Sequence, residues 1–359
     1  MDDVTESLKR LARRACAARI PYNNDSSEQH AIFSRAISNV LSAELALFTY
    51  AQIIDGLPTD EVAYDRRSPG LYGDHPIEHH VDLCPGALER AREFRQSFDP
   101  TILSFDPKLL NSYRRATVGS KQFSTRLIEL VSAALHEIAA ILFQLDIRLH
   151  QGDVDAIVQW NEDDSTGGKL QLPDVPPRVT IFNHPYYLDD DVYPDGVADV
   201  VGYWAEDRIL GGVTAFDRRA EESAPQQPPN VYFFSCRKRH TNRYWQLLDH
   251  QQQALIDFFL TESPGQATPC PLPTLCSDEN TVRIDEQFAI IQHHLYRDIW
   301  ERKPSTREHL RFNANRPQDA QDYPEHVALI EPIKRQWGDD LEPDPNAGSD
   351  TEGKPKDDE

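Results

Sequence analysis

Hydrophobic residues recur every three or four positions through the first 160 residues and then change rhythm. From Glu28 to Ile54 the apolar positions Phe33, Ile37, Val40, Leu47, Ala51 and Ile54 mark one face of a long helix. Asp25, Ser26 or Ser27 can cap its start, and Gly56 and Pro58 stop it. Residues 56–120 read as an ordered connection with one short helix near Ala87–Ser97. A second stripe (Leu127, Val131, Ala134, Ile138, Ile141, Leu145, Leu149) predicts a helix from about Lys121 to His150.

After the polar, Gly- and Pro-rich stretch 161–177 the runs shorten and favour β-formers. Strands are predicted at 178–182, 197–204, 208–216 and 231–236, the middle two joined as a hairpin by "AEDR". Helices follow over "LLDHQQQALIDFFL", capped by Asp249, and over "DEQFAIIQHHLYRDIWER", stopped by Pro304. The expected fold is α+β: a long-helix layer packed with a roughly four-stranded antiparallel sheet and covering helices. The regions are 1–160 (helical), 161–177 (linker), 178–303 (sheet plus helices, in one unit with the helical region) and 304–359 (polar extension, disordered from about 338).

Charge narrows the partners. The chain carries −22, and nine Asp and Glu against two Lys leave residues 338–359 at −7. Such a surface repels phosphate backbones and anionic headgroups, so neither nucleic acid nor membrane is expected. A small molecule or a protein remains as partner. Five cysteines without a CxxC pair point to reduced thiols and a cytoplasmic protein.

The stretch "YPDGVADVVGYWAEDRILGGVTAFDRR" (193–219) resembles a signature of uncharacterised proteins of filamentous fungi, loosely from "FNHPYYLDDD" to "QQQALIDFFL". The resemblance implies a fungal protein and no particular activity.

Candidate chemistry centres on "YYLDDDVYPDGVADVVGYW" (186–204), with aspartates at 189, 190, 191, 195 and 199. An EF-hand reading from Asp191 fails, because Tyr193 and Gly202 fall where ligands are required. "PDG" reads as a turn and the three leading aspartates as a solvated loop. Asp199, among apolar neighbours on a strand face, must be paired, hydrogen-bonded, protonated or solvent-facing; Arg208, Arg218 and Arg237 are the candidate partners. Two functional classes stay open. One is an accessory or interaction protein without catalytic machinery. The other is a cofactor-free acid–base enzyme with Asp199, His184 and Tyr187 as catalytic groups and Tyr203, Arg237 and Trp245 as binding groups. Arg237 and Trp245 come from the basic, aromatic run "RKRHTNRYW", which could grip a carboxylate, a phosphate or RNA, though in so acidic a chain pairing within the chain is the favoured expectation. No metal or cofactor is expected: HExxH lacks its second histidine at 136–140, His79–His80 and His293–His294 lack ligand spacing, and no phosphate loop occurs. Contact between Glu44 and His136 is expected to be structural.

Overall fold

The computed structural model describes residues 19–22, 27–66, 71, 74–160, 179–219, 229–262, 269–297 and 322–323. The chain divides into two units, Met1–Arg316 and Pro317–Glu359, and every helix and strand among the described residues lies in the first. The stretches 161–177 and 338–359 lie outside the described residues.

Helices α1 (Glu28–Ser42) and α2 (Glu44–Asp55) occupy the first predicted helix, but the chain bends by 75° between them at Ala43. Ser27 caps α1 by accepting from the His30 N–H, and Gly56 closes α2 in the left-handed conformation, φ 100°. Short α3 (Asp60–Tyr64), α4 (Ala87–Ser97) and α5 (Pro107–Arg115) come next, with strands β1 (Ile20–Pro21) and β2 (Ser104–Phe105) paired beside them. Helix α6 (Lys121–Gln144) packs against α1, α2 and α5. It is long and apolar enough to cross a membrane, yet here its apolar surface is mostly buried inside the protein, as a core helix. Short α7 (Val154–Gln159) ends this half.

The second half departs from expectation at its centre. Residues predicted as a hairpin form one helix, α8 (Val197–Leu210), and "AEDR" lies inside it. The described part of the 178–182 run, residues 179–182, is not a strand either. Every residue of α8 from Ala198 to Leu210 is buried, so it has no polar face from which a helical period can be read, and its β-branched residues mimic alternation. Gly211 is a left-handed helix stop whose N–H donates to the Asp207 carbonyl.

The sheet has five antiparallel strands in the order β6-β5-β4-β3-β7: β3 (Val213–Asp217), β4 (Val231–Phe234), β5 (Tyr244–Gln246), β6 (Arg283–Ile284) and β7 (Leu295–Tyr296). Helix α9 (Asp249–Leu260) starts with Asp249 as its first residue, the Leu248 N–H being held by Gln251, so Asp249 is not the cap. The expected long helix from 285 is reduced to α10 (Glu286–Ala289) before the chain turns into β7.

Alternation along the strands serves two cores. Phe216, Val231, Phe233 and Trp245 join the core of the helices, while Val213, Ala215, Tyr232, Phe234 and Tyr244 join a second core with Tyr187, Tyr193 and Tyr203. Polar contacts tie α6 to the sheet: Ser132 Oγ meets Thr214 Oγ1 at 2.9 Å, and Glu129 takes Arg218 at 2.6 Å.

Helices α6 and α8 approach closely at Gly202. A Cβ there would stand 2.5 Å from the His136 ring, which is pinned by Asp199 on one side and Arg297 on the other. Gly202→Ala is therefore expected to destabilise the protein by about 2 kcal/mol or more. An unchanged urea midpoint in this variant would contradict the helix contact.

Candidate functional site

Five of the six residues singled out in the sequence fall into three environments, and Trp245 lies apart from them. Asp199, in the first turn of α8, is 2% exposed. His136 Nε2 donates to its Oδ1 at 2.8 Å and the Asp195 N–H donates to its Oδ2 at 2.7 Å, with Arg19 at 3.8 Å. Because Arg297 can only donate to His136 Nδ1 (3.2 Å), that nitrogen accepts, and Nε2 carries the proton given to Asp199. Burial on its own raises the Asp199 pKa, but the hydrogen bonds from His136 and Asp195 and the charge of Arg19 reverse it, and the net shift is downward. The partners are thus His136 and Arg19, and none of the three arginines expected. Glu44 is exposed and does not meet His136. Asp195 does more than turn the chain: its carboxylate pairs with Arg19 at 2.7 Å.

Tyr187 and Tyr203 form an aromatic ladder between the networks. Their rings stack at 4.3 Å, Tyr203 meets His136 edge-on at 4.6 Å, and the Tyr187 hydroxyl bonds that of Tyr244 at 2.9 Å. Trp245 is elsewhere, fully buried against Phe233 in the helical core, so it is a packing residue rather than a binding one.

His184 and Arg237 belong to the third environment, where α8, the loop after α3 and the end of β4 meet. His184 is fully buried between Tyr187 and Phe234. Burial first, and then the charge of Arg66, push its pKa down to about 3, so it is a neutral ring throughout the physiological range. Beside it, Arg66 is 5% exposed and among the described residues bonds only oxygens that carry no charge: the Ala63 carbonyl and the Asn183 carbonyl and side chain. Arg208 and Arg237 share a single carboxylate oxygen, Asp65 Oδ2, at 2.5 and 3.2 Å. Asp207 lies deeper, with the Cys236 thiol 3.7 Å from its Oδ2. Burial raises the pKa of Asp207 despite the pull of Arg237, Ser235 and Arg208. Burial and Asp207 likewise hold Cys236 as a thiol, which is a poor nucleophile.

Three guanidinium groups thus lie about the Asp207 carboxyl, which burial drives toward its neutral form, and two of them share the Asp65 carboxylate. Two buried N–H donors, Arg66 Nη2 and Arg237 Nη1, have no partner among the described residues. Asp65 is partly exposed, which places solvent at the mouth of the cluster. The donor atoms of His184, Asp207 and Cys236 lie within 4.8 Å of one another, a ligand-like grouping. Surrounding arginines oppose a cation there and favour an anion. A surface cleft of about 490 Å³ opens elsewhere, lined by Ser34, Arg92, Arg95 and Phe98 among others and by none of the six residues.

Arg66 is not marked by the sequence, and Arg208 is marked only as a candidate partner of Asp199. The first sits in "YDRRSP", within the ordered connection 56–120, and the second in "AEDR", expected to join a hairpin; a buried position for "AEDR" emerges only once 197–210 is known to be helical.

Two outcomes are expected. Asp199→Asn places an amide donor against either the Asp195 N–H or the His136 Nε2–H, and should cost about 3 kcal/mol in urea unfolding. An unchanged midpoint would show that the network is not holding α8. His184 has a folded pKa depressed below its unfolded value near 6.5, so the unfolded chain binds the proton first. Stability from this group is complete above pH 6.5 and falls by about 1.4 kcal/mol per unit on acidification toward its folded pKa. Between pH 6 and 5, His184→Gln should flatten the dependence by one proton, and an unaltered slope would remove His184 as its source.

No known protein family, curated protein or solved structure matches this chain.

Proposed function

We propose that this chain is a non-catalytic accessory protein that binds a small ligand carrying a carboxylate or phosphate group at Arg66, Arg208 and Arg237. The observation that carries the reading is the pair of guanidinium N–H groups without a partner among the described residues, in a buried cluster with surplus positive charge. A buried charge without compensation is costly, and a bidentate oxyanion supplies both the charge and the acceptors. The acidic surface does not prevent this, since charges more than about 8 Å away are largely screened at physiological salt.

Geometry weighs against the cofactor-free enzyme. Asp199 and His184 sit in separate networks, 2% and 0% exposed, and Asp199 is engaged on both oxygens. A general base has to reach the proton it removes. The proposal extends to a cytoplasmic protein: Cys84, Cys236, Cys270 and Cys276 are free thiols, which supports a reducing compartment. The net charge of −22 supports a partner that is neither nucleic acid nor an anionic membrane.

Inorganic phosphate and succinate, titrated against sodium chloride at matched ionic strength, test the reading through thermal unfolding and calorimetry. At least one oxyanion should raise the melting temperature saturably, by an amount equivalent to about 2.7 kcal/mol at a hundred times its Kd. Arg237→Gln should abolish the effect. Equal responses to oxyanion and chloride, or an undiminished response in Arg237→Gln, would contradict it.

A further inference from the structure

Apart from the arginine cluster, four donors of three chemistries meet. They are Asp55 at the end of α2, His80 after the 3-10 turn Pro76–His79, Cys84 in the loop before α4, and His150 in the loop after α6. One ligand atom from each lies within 4.8 Å of all the others. Two edges of the grouping are fixed by contacts: Asp55 Oδ2 to His80 Nε2 is 3.1 Å, and Cys84 Sγ to His150 Nδ1 is 3.5 Å. A tetrahedral ion with bonds of about 2.0 Å to nitrogen or oxygen and about 2.3 Å to sulfur gives edges of roughly 3.3 and 3.5 Å. The observed pair falls close to both.

The surroundings are those of a supported ligand set. His80 Nδ1 faces the Pro58 carbonyl at 2.9 Å; a carbonyl only accepts, so Nδ1 carries the proton and Nε2 is aimed into the cluster. Asp55 is fully buried; its Oδ2 accepts the Cys84 N–H at 2.9 Å, and its Oδ1 has no partner among the described residues. The backbone holds the segments in register. Leu149 N–H donates to the Ile54 carbonyl at 3.2 Å, His150 N–H to the Asp55 carbonyl at 2.9 Å, and Asp60 N–H to the His80 carbonyl at 2.9 Å. Three left-handed positions shape the turns that bring α2 and the His150 loop together: Gly56, Asp146 and Arg148, at φ of 100°, 51° and 43°. For the two non-glycine residues that conformation persists only where the surroundings impose it. Cys84 and His150 are half-buried, so an ion has a route in.

We infer that Asp55, His80, Cys84 and His150 form a tetrahedral zinc site that fastens the C-terminal ends of α2 and α6 to the start of α4. The mixture of imidazole, thiol and a single carboxylate suits zinc and disfavours calcium or magnesium, which take oxygen donors. All four positions come from the protein, which is the arrangement of a structural site rather than a catalytic one. A thiol–imidazole nucleophile is the competing use of Cys84 and His150. It fits poorly, because burial and the adjacent Asp55 raise the Cys84 thiol to about 11, and a divalent cation at the centre is what would favour its thiolate.

The full chain, stripped of metal by a chelator, tests this with zinc and with cobalt as its spectroscopic substitute. Zinc should bind one per chain in competition with a chromophoric chelator and raise the melting temperature. Cobalt should give intense visible bands of tetrahedral geometry and a near-ultraviolet thiolate-to-cobalt band. Cys84→Ser should abolish the thiolate band and weaken zinc binding by at least about a hundredfold, more than the loss of a supporting residue costs. Cys270→Ser, at an exposed thiol away from the cluster, should leave both unchanged. If wild-type protein takes up no stoichiometric zinc, or the thiolate band survives in Cys84→Ser, the site is not there. The wild-type measurement decides even if the variant fails to fold.

Discussion

Helix α8 is buried on every side, between α6, α2 and strand β3, while carrying four ionisable side chains along its length: Asp199, Glu206, Asp207 and Arg208. Water cannot solvate them, so each has to be compensated within the protein or lose its charge. Asp199 accepts hydrogen bonds from His136 Nε2–H and the Asp195 N–H; Glu206 accepts the Thr214 N–H and pairs with Arg297; Arg208 reaches Asp65. Asp207 is the exception, with burial pushing it toward its neutral form. These obligations position much of the rest. The Glu206 bond holds the first residues of β3, His136 fixes the spacing of α6, and Arg208 draws the Asp65 loop over the end of the sheet.

From that constraint the two polar regions acquire different characters. Around Asp199 the groups close on one another, as a structural network does. Around Arg208 they do not, because Arg66 and Arg237 arrive from other segments with more positive charge than Asp65 offsets. The cluster is cationic within a strongly acidic chain, and it lies where the loop after α3 meets the end of β4. Loops carried by a rigid scaffold are where binding groups concentrate.

Legibility in the sequence came from residue type or from period. The "VYFF" run, buried at all four positions, shows itself by its β-forming residue types alone, whereas the stripe of α6 has a period to detect. Helix α8 has none, since apolar and charged residues alike are inside; its usable signals were the flanking Gly196 and Gly211. The bend at Ala43 carries neither Pro nor Gly and no side-chain cap, so no local rule marks it. Strands β6 and β7 are two residues long, too short for alternation. For the sites, Arg237 and His184 stood out by type, but Arg66 and Arg208 required the topology. The zinc ligands required it still more: motif spacing looks for neighbours, and Asp55 and His150 stand 95 positions apart, joined only through the backbone bonds between α2 and the loop after α6.

Native-state hydrogen exchange tests whether α8 and its compensated charges form the least yielding part of the fold. Amides of residues 201–210 are predicted to exchange only through global unfolding, with opening free energies equal to that from urea denaturation. Exchange of α8 through a cheaper local opening, ahead of α6, would contradict that role for the helix.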